Sequence, residues 1–405
     1  MALTEQLDLR SGSVCWPEEA VDYVSPAFPR EPVDTAIVGA GIMGAMLAER
    51  LTGMGHSVAL FDRRPPARGS TAASTALVMW SADTPLTTLA ETHGPSQAAR
   101  RWQRVHVAAL ELADRVKALG LSCGWAARPE IYLAGDVLDE RGLIKEAEAR
   151  QAAGLPSLFL DAETLGTRFD LPPRPGLLCD HSFEVDPVAL TTGLLDQAQS
   201  RGASLYFPAD VVSVAEGPGG VRLTLADGNH VLARNAILAS GYEAPRQFLP
   251  PAFTLGSSYV IATRPDSPPR WRERAMIWEA SDPYLYARAT ADGRLIVGGA
   301  DEEFADPVKR DAMLARKQRF LETHGAGLVG GAPLVADCAW SATFGGSPDG
   351  LPAIGRVRGF DNLWLTSGFG GNGVTFASLA ASLVCAEMSG LPDPDLECFS
   401  PYRFG

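Results

Sequence analysis

Three glycines and one acid offer the clearest chemistry in the chain. Gly39, Gly41 and Gly44 lie in the segment Asp34-Thr35-Ala36-Ile37-Val38-Gly39-Ala40-Gly41-Ile42-Met43-Gly44, and Asp62 follows the apolar run Ser57 to Phe61. Glycine at 39 permits a tight turn out of a strand, at 41 it lets backbone approach a pyrophosphate, and at 44 it lets a helix pack closely on a sheet. The amino end of that helix offers free N–H groups and a dipole that favours anions. A carboxylate at 62 accepts both ribose hydroxyls of an adenosine diphosphate that lacks a 2′-phosphate. The spacing predicts a dinucleotide site on a βαβ unit, without deciding between FAD and NAD.

A second group lies far along the chain. Strand alternation puts Tyr284, Tyr286 and Arg288 on one face and Leu285, Ala287 and Ala289 on the other. Two phenols and a guanidinium fork suit the anionic end of a small substrate, although a solvent-facing strand has the same pattern. His181 and His324 are candidate proton carriers, or lone structural histidines. The cysteines at 15, 123, 179, 338, 385 and 398 form no CxxC pair, and the histidines show no HExxH spacing. Reduced thiols and no structural metal are expected.

The elements that must position these residues follow from periodicity and punctuation. Residues 1–29 are proline-punctuated and read as an irregular arm. The small, hydroxyl-rich stretch Gly69 to Ala76 suits a path tight along a ligand, or an ordinary solvated loop. Trp102, Val105, Ala109, Leu112, Val116 and Leu119 recur at helical spacing between Pro95 and Gly120. Further helices are predicted over 139–153, after the Asp186-Pro187 cap as far as Gly202, over 307–324, and from Gly373 to Ser389. Strands are predicted over 204–207, 210–215, 221–225, 229–233, 235–240, 336–343, 351–355 and 363–367. Three more fall within 255–300, including a hairpin turning at Asp292-Gly293.

At 405 residues the chain suits two domains, and its 46% hydrophobic and 20% charged residues are ordinary for a globular protein. A net charge of −13 argues against nucleic acid or an anionic membrane as the main partner, because binding phosphates needs a basic surface. No apolar run approaches the roughly 20 residues that span a bilayer. The start, Met1-Ala2-Leu3-Thr4-Glu5-Gln6, lacks a basic segment followed by an apolar core, so a cytoplasmic location is expected.

Three separated signals combine: the βαβ unit, the Asp186-Pro187 helix with its meander to Ala239-Ser240-Gly241, and Gly368-Phe369-Gly370-Gly371-Asn372-Gly373-Val374-Thr375. Together they resemble the FAD-dependent D-amino-acid oxidase superfamily, which includes glycine and sarcosine oxidases, over nearly the whole chain from about residue 30. The resemblance implies an α/β class, α+β overall. A discontinuous Rossmann-like FAD-binding domain (30–82, 180–246 and 336–395) would join a substrate domain (83–179 and 247–335) built on a mixed, largely antiparallel β-sheet. It implies that Gly39, Gly41, Ile42, Met43 and Gly44 hold the pyrophosphate, Asp62 and Arg63 the ribose end, and Val211 the adenine through its backbone. Ser70, Thr71 and Thr75 would follow the diphosphate toward the flavin. Gly241 and the loop Gly370, Gly371, Asn372, Gly373, Val374 and Thr375 would face the flavin, the loop at its pyrimidine edge.

The chain also departs from that pattern. Amino-acid oxidases of the family commonly carry a carboxylate-gripping arginine in a W-x-G-L-R-P-type strand, and here Trp340-Ser341-Ala342-Thr343-Phe344-Gly345 puts Phe344 in its place. Trp340 joins Tyr284, Tyr286 and Arg288 as substrate-site candidates. Sarcosine-oxidase relatives carry a lysine over the flavin, whereas the comparable strand here reads Arg294-Leu295-Ile296-Val297. Cys338 lies where those relatives attach flavin covalently, although a buried, unreactive cysteine and non-covalent FAD is the commoner arrangement. The expected activity is oxidation of the C–N bond of a small amine or amino-acid-like substrate by hydride transfer to flavin N5, with oxygen, a quinone or a carrier protein as acceptor. The alternatives are an FAD-dependent dehydrogenase of a hydroxy acid or polyol phosphate, and a non-catalytic flavin-binding protein.

Overall fold

The computed structural model describes residue 3 and residues 6–17, 25–268 and 270–404. Of the predicted amino-terminal arm, residues 1–2, 4–5 and 18–24 lie outside the described residues.

Val33–Val38 lies inside a sheet because its apolar run can be buried on both faces, as parallel neighbours require. It pairs in parallel with Val58–Phe61 on one side and His230–Leu238 on the other. Ser204–Tyr206 and Leu363–Ser367 extend the parallel order outward, and Ala353–Arg356 closes one edge antiparallel. The two strands predicted over 229–233 and 235–240 are one, and it lies in this sheet. The helices Pro187–Ser200 and Gly373–Met388 both pack on Ile42–Gly53. Asp186 caps the first of them, accepting from Val188 N–H at 2.9 Å and Ala189 N–H at 3.0 Å, with Pro187 in the first turn.

The other half is a ten-stranded sheet, antiparallel except where Met276–Glu279 runs parallel to Ala126–Leu133. Its order brings Arg10–Gly12, Cys338–Gly346, Thr254–Ala262, Leu295–Glu302, Leu285–Ala289 and Met276–Glu279 side by side, then Ala126–Leu133, Gly176–Glu184 and Leu77–Val78, with Ser157–Leu160 the tenth, paired to Gly176–Glu184. Together the two sheets make the α/β class, α+β overall, with the mixed and largely antiparallel second sheet that the resemblance implied. The strand predicted over 336–343 pairs with Thr254–Ala262, so it lies in this sheet and not beside the nucleotide strands with which it was grouped.

Sequence periodicity missed Ala126–Leu133, Ser157–Leu160 and Gly176–Glu184, the helices Leu86–His93 and Ala162–Phe169, and the short Arg10–Gly12 within the supposedly irregular arm. The physical reason is local. Pro129 interrupts the first strand and shifts its register between Arg128 and Glu130, and His181 interrupts the third with φ +66°. Both breaks destroy the alternation that marks a strand. Regular elements came through better. Pro95–Leu119 buries Trp102, Val105, Ala109, Leu112 and Val116 as its period predicts, and Pro307–Val329 only overruns its predicted end. Among the described residues no helix is long and apolar enough to cross a membrane.

Candidate active site

One cavity is lined by residues of both sheets, from the Gly39–Gly41 turn at one end to Tyr284 and Tyr286 at the other. At the first end the glycines act as their chemistry demands. Gly39 has φ +117°, and a Cβ there would overlap the Ala239 carbonyl oxygen. A Cβ on Gly44 would overlap the Gly39 carbonyl oxygen, so this glycine lets the helix close on the turn and does not itself line the cavity. Gly41, Ile42 and Met43 do line it. No side chain of Gly41 can cap the helix Ile42–Gly53; Thr71 Oγ1 instead accepts from Ile42 N–H at 3.0 Å.

Asp62 also lines the cavity, and both its oxygens are engaged by backbone. Oδ2 accepts from Ala40 N–H and Oδ1 from Arg64 N–H, each at 2.8 Å. Burial pushes its carboxyl above the usual range while these two N–H groups pull it back. Arg63 and Val211 line the same end. Arg64 is ion-paired with the buried Glu243 at 2.7 Å, and Arg63 reaches the same carboxylate at 3.3 Å.

Ser70, Thr71 and Thr75 carry the wall onward to Gly241. The Ser70 and Ser240 hydroxyls line the cavity and are buried without a hydrogen-bond partner among the described residues. Unpartnered buried hydroxyls beside an open helix amino terminus fit a polar, anionic group laid along this wall, as a dinucleotide pyrophosphate would be.

At the second end Gly370, Gly371, Gly373 and Val374 meet Tyr284 and Tyr286. Asn372 and Thr375 do not reach the cavity. Their side chains donate to Ser81 O at 2.6 Å and Met79 O at 2.7 Å, tying the closing helix to the segment that precedes Asp83. The Gly371 amide is likewise turned inward, donating to Asp83 Oδ2 at 2.7 Å.

Two predicted substrate residues are elsewhere. Arg288 is buried and donates to Val185 O at 2.9 Å and Ala76 O at 3.3 Å, with its guanidinium over Trp16. Burial lowers it to about 10. Trp340 is fully buried, its indole N–H bonded to Ala73 O at 3.0 Å. Both brace the hydroxyl-rich segment from behind, because alternation names the face a residue occupies and says nothing of how far its side chain must reach for partners. Cys338 also lies outside the lining, beside Arg294 and Asp337, and burial raises its thiol. His181 pairs with His106 across 2.9 Å at the surface, and His324 stacks on Phe320, so neither reaches the cavity.

Sequence reasoning missed Asp83, Tyr242, Ser258 and Trp278, all of which line the second end. None carries a motif. Trp278 is fixed by the buried Glu130, which accepts from its indole N–H at 3.0 Å, and it stacks on Tyr132 with ring centroids 4.0 Å apart. Gly298 makes room for Tyr286, whose phenol would collide with any Cβ there. Asp83, facing the cavity and withdrawn from bulk water, is pushed up to about 6.

A glycine-turn nucleotide fold whose cavity ends in a wall of aromatic and acidic side chains defines a dinucleotide-dependent oxidoreductase. The chain matches the family model described as FAD dependent oxidoreductase (DAO) over residues 34–387, and it belongs to that family of enzymes, whose cofactor is FAD. It is 27% identical over 397 residues to the tRNA 5-methylaminomethyl-2-thiouridine biosynthesis bifunctional protein MnmC of Caulobacter sp. (strain K31), covering 93% of this chain and 58% of that protein. It thus spans little more than half of that relative. It is 25% identical to the D-amino acid dehydrogenase of Rhizobium johnstonii, covering 91% of this chain and 99% of that one. Glycine oxidase from Geobacillus kaustophilus has the same fold, with a TM-score of 0.72 at 22% identity, covering 92% of this chain and 99% of that chain.

Proposed function

We propose that this chain oxidises the C–N bond of a small amine or amino-acid-like substrate. The observation that carries the reading is the continuity of one cavity from the Gly39–Gly41 turn to the aromatic end. Gly39, Gly41, Ile42 and Met43 would hold the pyrophosphate, Asp62 and Arg63 the adenosine ribose, and Val211 the adenine. Ser70, Thr71, Thr75 and Gly241 would line the path to the ring, which Gly370, Gly371, Gly373 and Val374 would border. FAD, when bound, supplies a two-electron acceptor. Tyr284, Tyr286 and Trp278 would enclose the substrate and exclude water, orienting its α-carbon. The neutral amine then loses hydride from that carbon, and water hydrolyses the resulting imine to a carbonyl product and ammonia or an amine.

The names of the glycine oxidase and D-amino acid dehydrogenase relatives support C–N chemistry. A net charge of −13 is unfavourable for the polyanionic RNA that the bifunctional relative's name implies. No Lys, Arg or His stands among the described lining residues of the second end, which weighs against a hydroxy acid or polyol phosphate. Anaerobic titration of the FAD-loaded protein with amines and amino acids tests the reading. Bleaching of the flavin bands with release of ammonia or amine is expected. Bleaching instead by a hydroxy acid or polyol phosphate added in the same titration, with a carbonyl product and no amine, would replace the reading with hydroxy-acid oxidation, and no bleaching by any compound would point to a non-catalytic flavoprotein.

A further inference from the structure

The second end of the cavity carries the Asp83 carboxylate and aromatic faces where a carboxylate-binding pocket would carry a cation. Asp83 uses one oxygen to accept from Gly371 N–H and leaves Oδ1 without a hydrogen-bond partner among the described residues. Asp301, on the strand Leu295–Glu302 and behind the cavity lining, has a buried Oδ1 with no partner among the described residues. Asp301 is also pushed up to about 6, first by burial and then by Asp83, while Ser258 opposes the shift; Asp83 itself is raised by burial. Among the described residues the cation acting on Asp301 is Lys317, and it is already committed to Glu302 Oε1 at 2.7 Å and Ala300 O at 2.5 Å. The other titratable groups that interact with the two acids are Asp282 and the phenols of Tyr132, Tyr242, Tyr259, Tyr284 and Tyr286, which burial keeps protonated, and none of these supplies positive charge.

A second feature points the same way. Trp278 meets Tyr284 edge-on with ring centroids 6.4 Å apart, and Tyr284 meets Tyr286 at 5.9 Å, forming an aromatic wall beside the acids. Electron-rich ring faces attract cations, most strongly where water is excluded. The glutamate behind Trp278 holds the indole plane in place. Phe344 lines the same region and has no charge to offer a carboxylate.

We infer that the substrate of this site is a cationic amine without a carboxylate on its reacting carbon, a diamine or an amine bearing a second positive group, with Asp83 as its counter-ion and the Trp278–Tyr284–Tyr286 wall against its charge. This rests on the C–N reading above and narrows it. The unpaired Asp83 oxygen has a cost in the free protein, and a bound cation removes it.

The test uses the FAD-loaded protein in two arms. In the first, anaerobic flavin reduction is measured with 1,4-diaminobutane and N-methyl-1,4-diaminobutane against glycine, sarcosine and D-alanine. The diamines should react with kcat/KM at least about tenfold higher, the scale of one desolvated cation contact. Faster reaction of the carboxylate-bearing compounds overturns the inference and leaves the C–N reading standing, whereas no reaction with any compound overturns the C–N reading itself. The second arm needs no turnover. Tetramethylammonium, which has no N–H and cannot be oxidised this way, should perturb the flavin spectrum at lower concentration than acetate. Asp83→Asn, which keeps an oxygen for Gly371 N–H, should weaken tetramethylammonium binding about tenfold with FAD content unchanged. Acetate binding more tightly than tetramethylammonium to the unmodified protein, or an Asp83→Asn protein that binds the cation as before, sinks the proposal.

Discussion

The two ends of the cavity recognise ligands by different means. At the nucleotide end most of the work belongs to the backbone: a left-handed turn at Gly39, a helix start whose own N-cap, Gly41, has no side chain, and a carboxylate at 62 that organises two backbone N–H groups. At the other end it belongs to side chains drawn from separated segments, with Asp83 before the helix Leu86–His93, Trp278 and Tyr286 from the ten-stranded sheet, Tyr284 just before the strand Leu285–Ala289, and Tyr242 just after the nucleotide sheet. Backbone recognition needs residues close together in sequence, because one turn supplies all the groups. Side-chain recognition needs only that the fold bring distant residues within reach.

Substitutions can break this contrast. The largest effect is expected for Gly44→Val, whose added atoms have no space against the Gly39 carbonyl. It should cost about 3 kcal/mol or more through overpacking and yield protein without FAD; purification with flavin bands at full occupancy would show that the turn tolerates the shift. Arg288→Ala removes a buried guanidinium and leaves the Ala76 and Val185 carbonyls unpaired, so thermal unfolding should register a loss of about 2–3 kcal/mol. Its kcat/KM for charged and neutral substrates should change by the same factor. A selective loss for anionic substrates would return Arg288 to the substrate site.

Asp62→Ala should weaken FAD retention by roughly 1.5–3 kcal/mol, read as a dissociation constant by equilibrium dialysis. Unchanged affinity would remove Asp62 from the ribose. The smallest effect concerns pH. Asp83 and Asp301 are each raised to about 6, and a cation favours their ionised forms. Tetramethylammonium does not titrate, so its affinity should fall as pH drops through about 6 and level off above about 7. A flat profile from pH 5 to 8 would mean that neither acid meets the cation.

The same contrast explains what could be read before the fold was known. Gly39, Gly41 and Asp62 were legible because each answers a mechanical requirement at fixed spacing. Tyr284 and Tyr286 were legible as one face of a strand, and both reach the cavity. Arg288 and Trp340 share strands with cavity residues, but their polar atoms find carbonyl partners behind the wall. Asp83 was invisible because a single acid before Thr84-Pro85 has no pattern; only Gly371, nearly three hundred positions later in the chain, gives it a place.

By itself the sequence determined the βαβ unit, the long amphipathic helices and the class of cofactor, since period, caps and glycine spacing act over a few residues whatever surrounds them. Only the tertiary structure decided that Cys338–Gly346 joins the larger sheet, that Arg288 serves the scaffold, and that Asp83 and three aromatic rings share one chamber. Those outcomes depend on strand pairing and burial between segments far apart in the chain. No local pattern encodes such pairings, because each side chain's partner is chosen by the whole fold.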